Sequence, residues 1–394
     1  MHRAREVRED HAPVALAPTG VIEPAARRAE RLVSLDAFRG ITIAAMILVN
    51  NPGNWKDTYG GLQHADWNGC TPADLIFPFF LFIVGVAITF SFAQRLRQHG
   101  SHARLLASVV RRSLILFGLG LLLNGFPSFE WELLRIPGIL QRIALCFFFA
   151  AVINMSFSVR GQAITAGLLL LVYWALMKLV PVPGYGAGAL GPGRNLAGYI
   201  DSVLLAGHIL HHHGDPEGIL STLPAIATTL SGVLAGHWLR SHRKPLERVA
   251  GLFVAGNVVL LLGLSLDWAF PINKSLWSSS FVLFTSGAAL NFLGLCYWLI
   301  DVHGYQRWAV PFVMYGTNPI VAYVLSSLVA KSMLVWRIPL ADGSKMHIKP
   351  YIYEHVFRPL GSPVNASLFY AIAYTLLWLG VAAVLYRKRI FVKI

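Results

Sequence analysis

The residues of this chain that could do chemistry are concentrated between Ser34 and Gly85. His64 is the first candidate, because an imidazole titrates near neutral pH and can take a proton from an attacking amine or briefly accept an acyl group. Asn50 precedes it by one loop, and its amide could orient a carbonyl or stabilise an oxyanion. Each residue also has a structural interpretation: His64 as a helix cap or a partner of a backbone carbonyl, and Asn50 as the cap of the helix that ends there.

Three charged side chains lie at or inside apolar segments, where a charge needs a partner. Asp36 and Arg39 stand at the start of the first segment, and Arg142 lies in RIPGILQRIAL. An anionic donor such as coenzyme A would supply phosphates to these arginines, so we predict that Asp36, Arg39 and Arg142 bind the donor. The structural alternatives are a salt bridge between Arg39 and Asp36, and a pairing of Arg142 with Asp74 or Glu132.

Polar residues near the predicted outer ends of the apolar segments are candidates for binding an acceptor. A Trp beside polar residues at such a position could stack on a sugar ring, although an interfacial Trp is ordinarily a membrane-belt residue. An Asn before Pro319 marks a broken helix, which tends to occur where backbone lines a cavity. The predicted acceptor-binding residues are Asp74, Asn273, Lys274, Trp277 and Asn318.

Metal and nucleotide chemistry have little support in the sequence. A run of loop histidines precedes two carboxylates, but without further partners such a run is weak support for a metal. The stretch GPGRN lacks the lysine and the strand-to-helix setting of a phosphate-binding loop, and the three cysteines have no paired spacing. We therefore predict no metal site; the run and its carboxylates are His208, His211, His212, His213, Asp215 and Glu217.

Membrane helices must position these residues. Only 13% of the 394 residues are charged and 55% are hydrophobic, whereas a soluble domain carries about 25% charged residues. Apolar segments of roughly 18 to 22 residues are long enough to cross about 30 Å of hydrocarbon. We predict an all-α, polytopic transmembrane helical bundle of about ten spans, at 37–50, 74–93, 109–126, 138–156, 162–181, 219–239, 249–268, 279–300, 310–330 and 365–386.

The distribution of basic residues predicts the topology. The net charge of +14 falls in loops between apolar segments and not on a soluble face, which argues against a nucleic-acid partner. Placing the most basic loops inside puts both termini in the cytoplasm. Residues 1–30 lack an apolar core and predict a disordered cytoplasmic leader, followed by a membrane domain at 31–394. Residues 182–218 and 331–364 are expected to form long outer loops that cover an outward-facing pocket.

A series of motifs runs from about residue 31 to the end of the chain, including SLDAFRG, VNNPG, QHADWNG, TPADLIFPFFLFIVG, RIPGILQRIAL, DPEGILST, PINKSLWSSSFV and YRKRIFVKI. In these motifs and their order the chain resembles the heparan-alpha-glucosaminide N-acetyltransferase family of transmembrane acyltransferases, and within it the bacterial NagX-like branch. The resemblance implies acetyl transfer from cytoplasmic acetyl-CoA to the amine of a glucosamine-type sugar on the periplasmic side. It places the family's catalytic histidine on His64 and its active-site asparagine on Asn50.

The expected function is therefore that of a transmembrane N-acetyltransferase in the bacterial inner membrane. A bacterial member would acetylate glucosamine, a chitin fragment or a cell-envelope sugar. The alternatives are a transporter for N-acetylglucosamine or a related sugar, which a ten-span bundle with a broken helix also suits, and a scaffold that binds no acetyl-CoA. The expected partners are acetyl-CoA, an amino sugar or glycan acceptor and membrane lipid, with a homodimer left open.

Overall fold

The apolar segments fold as helices because, inside hydrocarbon, every backbone N–H and C=O must be bonded within the chain. The computed structural model describes residues 32–99, 101–211, 214–340 and 343–392, without the side chains of 95–99. The predicted leader at 1–30 lies outside this part of the chain. Residues from Leu32 onward form one compact unit.

Helices dominate the described residues, and strands occur as three two-stranded antiparallel hairpins, β1 with β2, β3 with β4 and β5 with β6. In chain order the elements are α1 (Val33–Asn50), α2 (Pro72–His99), α3 (His102–Gly125), α4 (Ile139–Ser156), α5 (Val159–Leu179), β1 (Pro181–Val182), β2 (Gly186–Ala187), β3 (Leu190–Gly191), β4 (Arg194–Asn195), α6 (Leu196–Leu204), α7 (Thr222–Leu239), α8 (Pro245–Leu266), α9 (Ser279–Cys296), α10 (Val310–Thr317), α11 (Pro319–Val335), β5 (Arg337–Pro339), β6 (Lys345–His347), α12 (Ile348–Ile352) and α13 (Pro363–Arg387).

The prediction of an all-α polytopic membrane bundle is confirmed. Within the described residues eight helices are long and apolar enough to cross a membrane, namely α1 to α5, α8, α9 with its continuation to Val302, and α13. The bent pair α10 and α11, which meet at 72°, makes a ninth candidate. The remaining expected span, at 219–239, corresponds to α7, which is not among these candidates. The count of ten spans and the cytoplasmic placement of both termini stay predictions.

Helix α7 is the most enclosed long helix. It packs against α2, α4, α5 and α9, and most of its residues are buried. A helix surrounded by protein does not need the apolarity that lipid contact demands, which explains its content of Thr, Ser, Gly and His. The α2–α7 contact depends on small residues: a Cβ added to Gly85 would overlap the carbonyl oxygen of Thr229, and one added to Gly232 would overlap that of Phe82.

Gly85→Ala is therefore expected to lower stability by about 2 kcal/mol, because the new methyl group meets backbone that cannot rotate away. The thermal unfolding midpoint of the detergent-solubilised protein measures the effect. Gly380→Ala in α13 is the matched control: nothing lies within 4 Å of its added Cβ, so the substitution should leave the midpoint unchanged or raise it. Equal midpoints for the two variants would contradict the close packing of α2 on α7.

The two predicted outer loops contain more regular structure than expected. Residues 182–218 hold two β-hairpins and α6, and the second region begins later than predicted because α11 continues to Val335. That region then forms the β5–β6 hairpin and the short helix α12. Residues of the 182–218 segment, of the α1–α2 loop and of the α8–α9 loop line common cavities, and the site described below is built there.

Candidate functional site

Three charged or titratable side chains meet beside the end of α1. His64 follows a short turn at Gly60–Leu62, Asp74 lies in the first turn of α2, and Lys274 lies in the loop before α9. The Nδ1 atom of His64 is 2.8 Å from Asp74 Oδ1. Lys274 Nζ lies 3.3 Å from the same carboxylate oxygen and 3.1 Å from His64 Nε2.

The Asp74 carboxylate is fully buried and is fixed by the local sequence. Its Oδ2 accepts hydrogen bonds from the backbone N–H of Thr71 at 3.0 Å and of Ala65 at 3.1 Å, and from the Thr71 hydroxyl at 3.1 Å. The segment Thr71–Pro72–Ala73–Asp74 begins α2 with Pro in its first turn and an acidic residue three positions after Thr, which is the capping-box pattern. The cap that starts α2 thus also fixes the carboxylate beside His64.

The 2.8 Å contact between His64 Nδ1 and Asp74 Oδ1 favours the tautomer with its proton on Nδ1, because a carboxylate only accepts hydrogen bonds; Nε2 is then the basic nitrogen. The Lys274 ammonium faces both ring nitrogens, with Nζ 2.9 Å from Nδ1 and 3.1 Å from Nε2. The His64 side chain is 46% exposed, so it is accessible to a ligand. Burial lowers the pKa of the Lys274 ammonium, and the neighbouring Asp74 carboxylate opposes that shift. Asp74 and Lys274 together hold the imidazole of His64 in a defined orientation.

A cavity of about 200 Å³ lies against this cluster, with His64 and Lys274 in its wall. Its apolar lining includes Met46 of α1 and Phe77 of α2. Asn50, at the exposed end of α1, also lines it. The neighbouring Asn51 performs the capping that the sequence allowed for Asn50, because its Nδ2 donates to the Ile47 carbonyl at 2.8 Å. The structure therefore brings His64, Asn50 and Lys274 together around one small cavity, with the buried Asp74 in contact with His64 and Lys274.

The other two residues predicted from the α8–α9 loop, Trp277 and Asn273, are buried and stabilise the loops that carry this cluster. Trp277 is 1% exposed, donates its indole N–H to Thr228 Oγ1 at 3.1 Å and packs edge-to-face on Phe77 at 5.2 Å. It is neither a membrane-belt residue nor open to a sugar, which corrects both interpretations. Asn273 is also fully buried; it accepts from the N–H of Leu276 and donates to Asn68 Oδ1 at 3.1 Å, so it joins the loop of Lys274 to the loop of His64.

The residues predicted to bind the donor are not all together. Arg39 Nη1 bonds Asp36 Oδ1 at 3.0 Å and the Gly316 carbonyl at 3.1 Å, so the alternative of an Asp36 salt bridge is observed. Arg39 precedes Asn50 along α1 by about 16 Å of helix. Arg142, by contrast, lies in the first turns of α4, and its guanidinium stacks on Trp277 at 5.0 Å from the ring centroid. It therefore lies at the His64 end of the bundle.

Arg142 has an unusual environment for a charged side chain. It is 1% exposed, and its Nη2 donates to the Gly218 carbonyl at 3.2 Å and to the Ser221 hydroxyl. Neither of the carboxylates that the sequence offered as partners, Asp74 and Glu132, bonds to it. Its Nε and Nη1 atoms have no hydrogen-bond partner among the described residues.

Asn318 lies at the break between α10 and α11, and the predicted broken helix is confirmed by the 72° bend there. Its Nδ2 donates to the Ile390 carbonyl and its Oδ1 accepts from the Val392 N–H, both at 2.9 Å. These partners follow the end of α13, whereas Ser367, near the start of α13, bonds the segment after α1, on the side of His64. Asn318 is therefore held at the far end of α13 from the cavity.

A second charged cluster, which the sequence did not predict, joins the α3–α4 loop to the segment that precedes α7. Arg135 bonds the two oxygens of Asp215 at 2.6 and 2.7 Å and also Glu217 at 2.5 Å. These two carboxylates follow the histidine run, in which His208 bonds the Leu134 carbonyl and His212 and His213 lie outside the described residues. Within the described part of the chain, no group of three or more such side chains is arranged to hold a metal ion.

Cys70 is the thiol nearest to the cluster. Burial, together with the negative charge of Asp74, raises the pKa of the Cys70 thiol to about 12. The thiolate is the nucleophilic form of cysteine, so at neutral pH this side chain is almost entirely in its unreactive form. An acyl-cysteine intermediate at this position is therefore disfavoured.

The sequence of this chain is similar to those of known proteins. The family model described as heparan-alpha-glucosaminide N-acetyltransferase, catalytic, matches residues 31–265. Heparan-alpha-glucosaminide N-acetyltransferase of Homo sapiens is 32% identical over 437 residues, which cover 95% of this chain and 62% of the human protein. The Mus musculus protein of the same name is 32% identical over 431 residues, covering 94% and 62% respectively. The chain thus spans 62% of the length of these two relatives.

Proposed function

The chain belongs to the heparan-alpha-glucosaminide N-acetyltransferase family, and on this basis we propose that it transfers an acetyl group from acetyl-CoA to the amine of a glucosamine-type sugar. The observation that carries the proposal is the oriented His64–Asp74 pair on the wall of a cavity that Asn50 also lines. Both His64 and Asp74 fall inside the segment that the family model matches, whereas Lys274 lies beyond it.

The geometry supports general-base catalysis by His64. The free amine of the acceptor attacks the carbonyl carbon of the donor thioester, and His64 Nε2 takes the proton that the amine loses as the C–N bond forms. Asp74 stabilises the resulting imidazolium through Nδ1. The amide of Asn50 donates to the carbonyl oxygen as negative charge develops there. When the C–S bond breaks, His64 returns the proton to the departing thiolate.

Lys274 has an electrostatic part in this scheme. Its ammonium lies 3.3 Å from Asp74 Oδ1 and compensates the charge of the buried carboxylate. It also lies 2.9 Å from His64 Nδ1 and 3.1 Å from Nε2, and Nε2 is the atom that an acceptor amine must approach. We infer that the acceptor amine replaces Lys274 as the partner of Nε2, while Lys274 remains beside Asp74.

The proposed direction of transfer follows from the charges of the loops. With the N-terminus in the cytoplasm, Asp36 and Arg39 lie at the cytoplasmic end of α1, and Asn50 and His64 lie at the periplasmic end. Acetyl-CoA would thus enter from the side of Arg39, and the sugar would enter from the side of the outer loops. The proposed location is the bacterial inner membrane. Because Arg142 lies near the His64 end, we propose that it binds near the thioester of acetyl-CoA and not near its phosphates.

Inside-out membrane vesicles test the proposal. With labelled acetyl-CoA outside and glucosamine enclosed, the wild-type protein is expected to form labelled N-acetylglucosamine inside the vesicles. Failure to form the labelled product would contradict acetyl transfer. Uptake of unlabelled sugar by proteoliposomes that contain no acetyl-CoA would support the transporter, which the comparisons with known proteins do not favour.

The role of Arg39 has its own test. If Arg39 contacts a donor phosphate, Arg39→Gln is expected to raise the KM for acetyl-CoA about tenfold with a much smaller change in kcat, because a charge-assisted contact of about 1.4 kcal/mol is lost. Arg160→Gln, at the exposed start of α5, is the control for the loss of one positive charge. A lower unfolding midpoint with an unchanged KM would instead assign Arg39 to the structural pair with Asp36.

A further inference from the structure

A second cavity, of about 370 Å³, adjoins the first. Pro216 and Ser275 line both cavities, so the two meet at a common wall. The first cavity, at about 200 Å³, is smaller than most sites for drug-sized ligands, which occupy roughly 300 to 1,000 Å³. It suits one sugar ring at the reacting end. The second cavity has room for more of the same ligand.

The lining of the second cavity resembles a sugar-binding surface. Asp66 and Trp67 lie two and three positions after His64 in the α1–α2 loop, and both line the cavity. The Trp67 indole is half-buried and is fixed by its N–H bond to the Leu190 carbonyl at 3.1 Å. An aromatic side chain beside a carboxylate and the Ser275 hydroxyl offers an apolar face for a pyranose ring and polar groups for its substituents.

The charges that line the second cavity favour a cationic ligand, and the Lys274 ammonium in the wall of the first cavity is paired with Asp74. Asp66 is an exposed carboxylate, and the described residues that line the second cavity include neither Lys nor Arg. The cluster of Arg135, Asp215 and Glu217 opposes one positive charge with two carboxylates, of which Asp215 lines the second cavity and Glu217 the first. Negative potential in a cleft attracts cations and repels sulfate groups.

We propose that the second cavity binds the second ring of a cationic amino-sugar oligomer whose terminal amine is acetylated in the first cavity. This inference rests on the proposed function, since it assigns the acceptor of the same reaction. Asp66 is the residue that selects charge: its carboxylate pairs with an amine on the second ring, while Trp67 packs on the face of that ring. The preferred acceptor therefore has at least two rings and carries free amines, not sulfates.

The test compares kcat/KM for three acceptors: glucosamine, its disaccharide with free amines, and the corresponding O-sulfated disaccharide with acetylated second-ring nitrogen. The wild-type protein is expected to use the free-amine disaccharide at least about tenfold better than glucosamine, and the sulfated disaccharide worst of the three. Asp66→Lys is expected to lower the ratio of kcat/KM for the free-amine disaccharide over glucosamine about tenfold and to raise the relative use of the sulfated one.

Glu130→Lys is the matched control, because Glu130 is an exposed carboxylate of another outer loop that lines neither cavity. Glu130→Lys should leave the relative kcat/KM values for the three acceptors unchanged. An active wild-type protein that uses one and two rings equally well, or prefers the sulfated disaccharide, would overturn the inference while leaving acetyl transfer intact. A wild-type protein that acetylates none of the three contradicts the proposed function itself.

Discussion

Replacing His64 with alanine is expected to lower kcat for acetyl transfer about a thousandfold, with little change in the KM for acetyl-CoA. A positioned general base typically contributes about 10² to 10⁴ to the rate. A thousandfold loss lies in the middle of that range, as expected for an imidazole that Asp74 orients at 2.8 Å with Nε2 as the basic nitrogen. The rate of formation of labelled N-acetylglucosamine measures the effect.

Folding is not expected to suffer, since the His64 side chain is 46% exposed and Asp74 keeps its bonds to Thr71 and Ala65. Added imidazole should restore part of the activity, because the vacated volume adjoins an accessible cavity. His242→Ala, an exposed histidine between α7 and α8, is the control and should remain fully active. A His64→Ala protein that keeps more than a tenth of the wild-type kcat would show that another group accepts the proton.

Much of this site could be predicted from the sequence because its key residues flank one loop. Asn50 ends an apolar helix and His64 lies in the connection to the next, so any bundle places them at the same end. Asp74 was predicted as an acceptor-binding residue or as a partner of Arg142, and not as the partner of His64. The capping-box spacing from Thr71 to Asp74 was visible in the sequence and would have fixed the position of the carboxylate near the loop.

The separation of Arg142 from Arg39 could also have been derived. In a bundle whose spans alternate in direction, the first and fourth spans begin at opposite ends, and both arginines lie near the beginnings of their helices. The residue types suggested a shared phosphate ligand, whereas the order of the helices places the two guanidinium groups far apart. Helix order was the stronger constraint.

The contacts of the α8–α9 loop could not have been predicted from sequence. Trp277 and Asn273 resemble residues at a membrane surface, because local hydropathy reports the end of a span and not what covers it. Their burial depends on contacts with Thr228 and Asn68, which are distant in the chain. Such long-range contacts leave no periodic signal in a single sequence. The same holds for Lys274, whose distance to Asp74 is set by the fold of that loop.

Asp74→Asn is expected to lower kcat about a hundredfold to a thousandfold with little loss of stability. The amide has the shape of the carboxylate and its oxygen can keep the bonds from Thr71, so the start of α2 is preserved. Its NH₂ group, however, can donate to His64 Nδ1, which moves the imidazole proton to Nε2 and removes the base. Lys274 also loses the carboxylate that opposes the lowering of its pKa by burial.

The double variant separates this explanation from a general disturbance of the site. If Asp74 acts only through His64, then Asp74→Asn should cost almost nothing in a protein that already carries His64→Ala, and the two effects on kcat will be strongly non-additive. Asp57→Asn is the matched control, because Asp57 lies in the same loop and bonds Asn54 but does not line the cavity. Additive losses would mean that Asp74 acts independently of the imidazole, through Lys274 or through the acceptor itself.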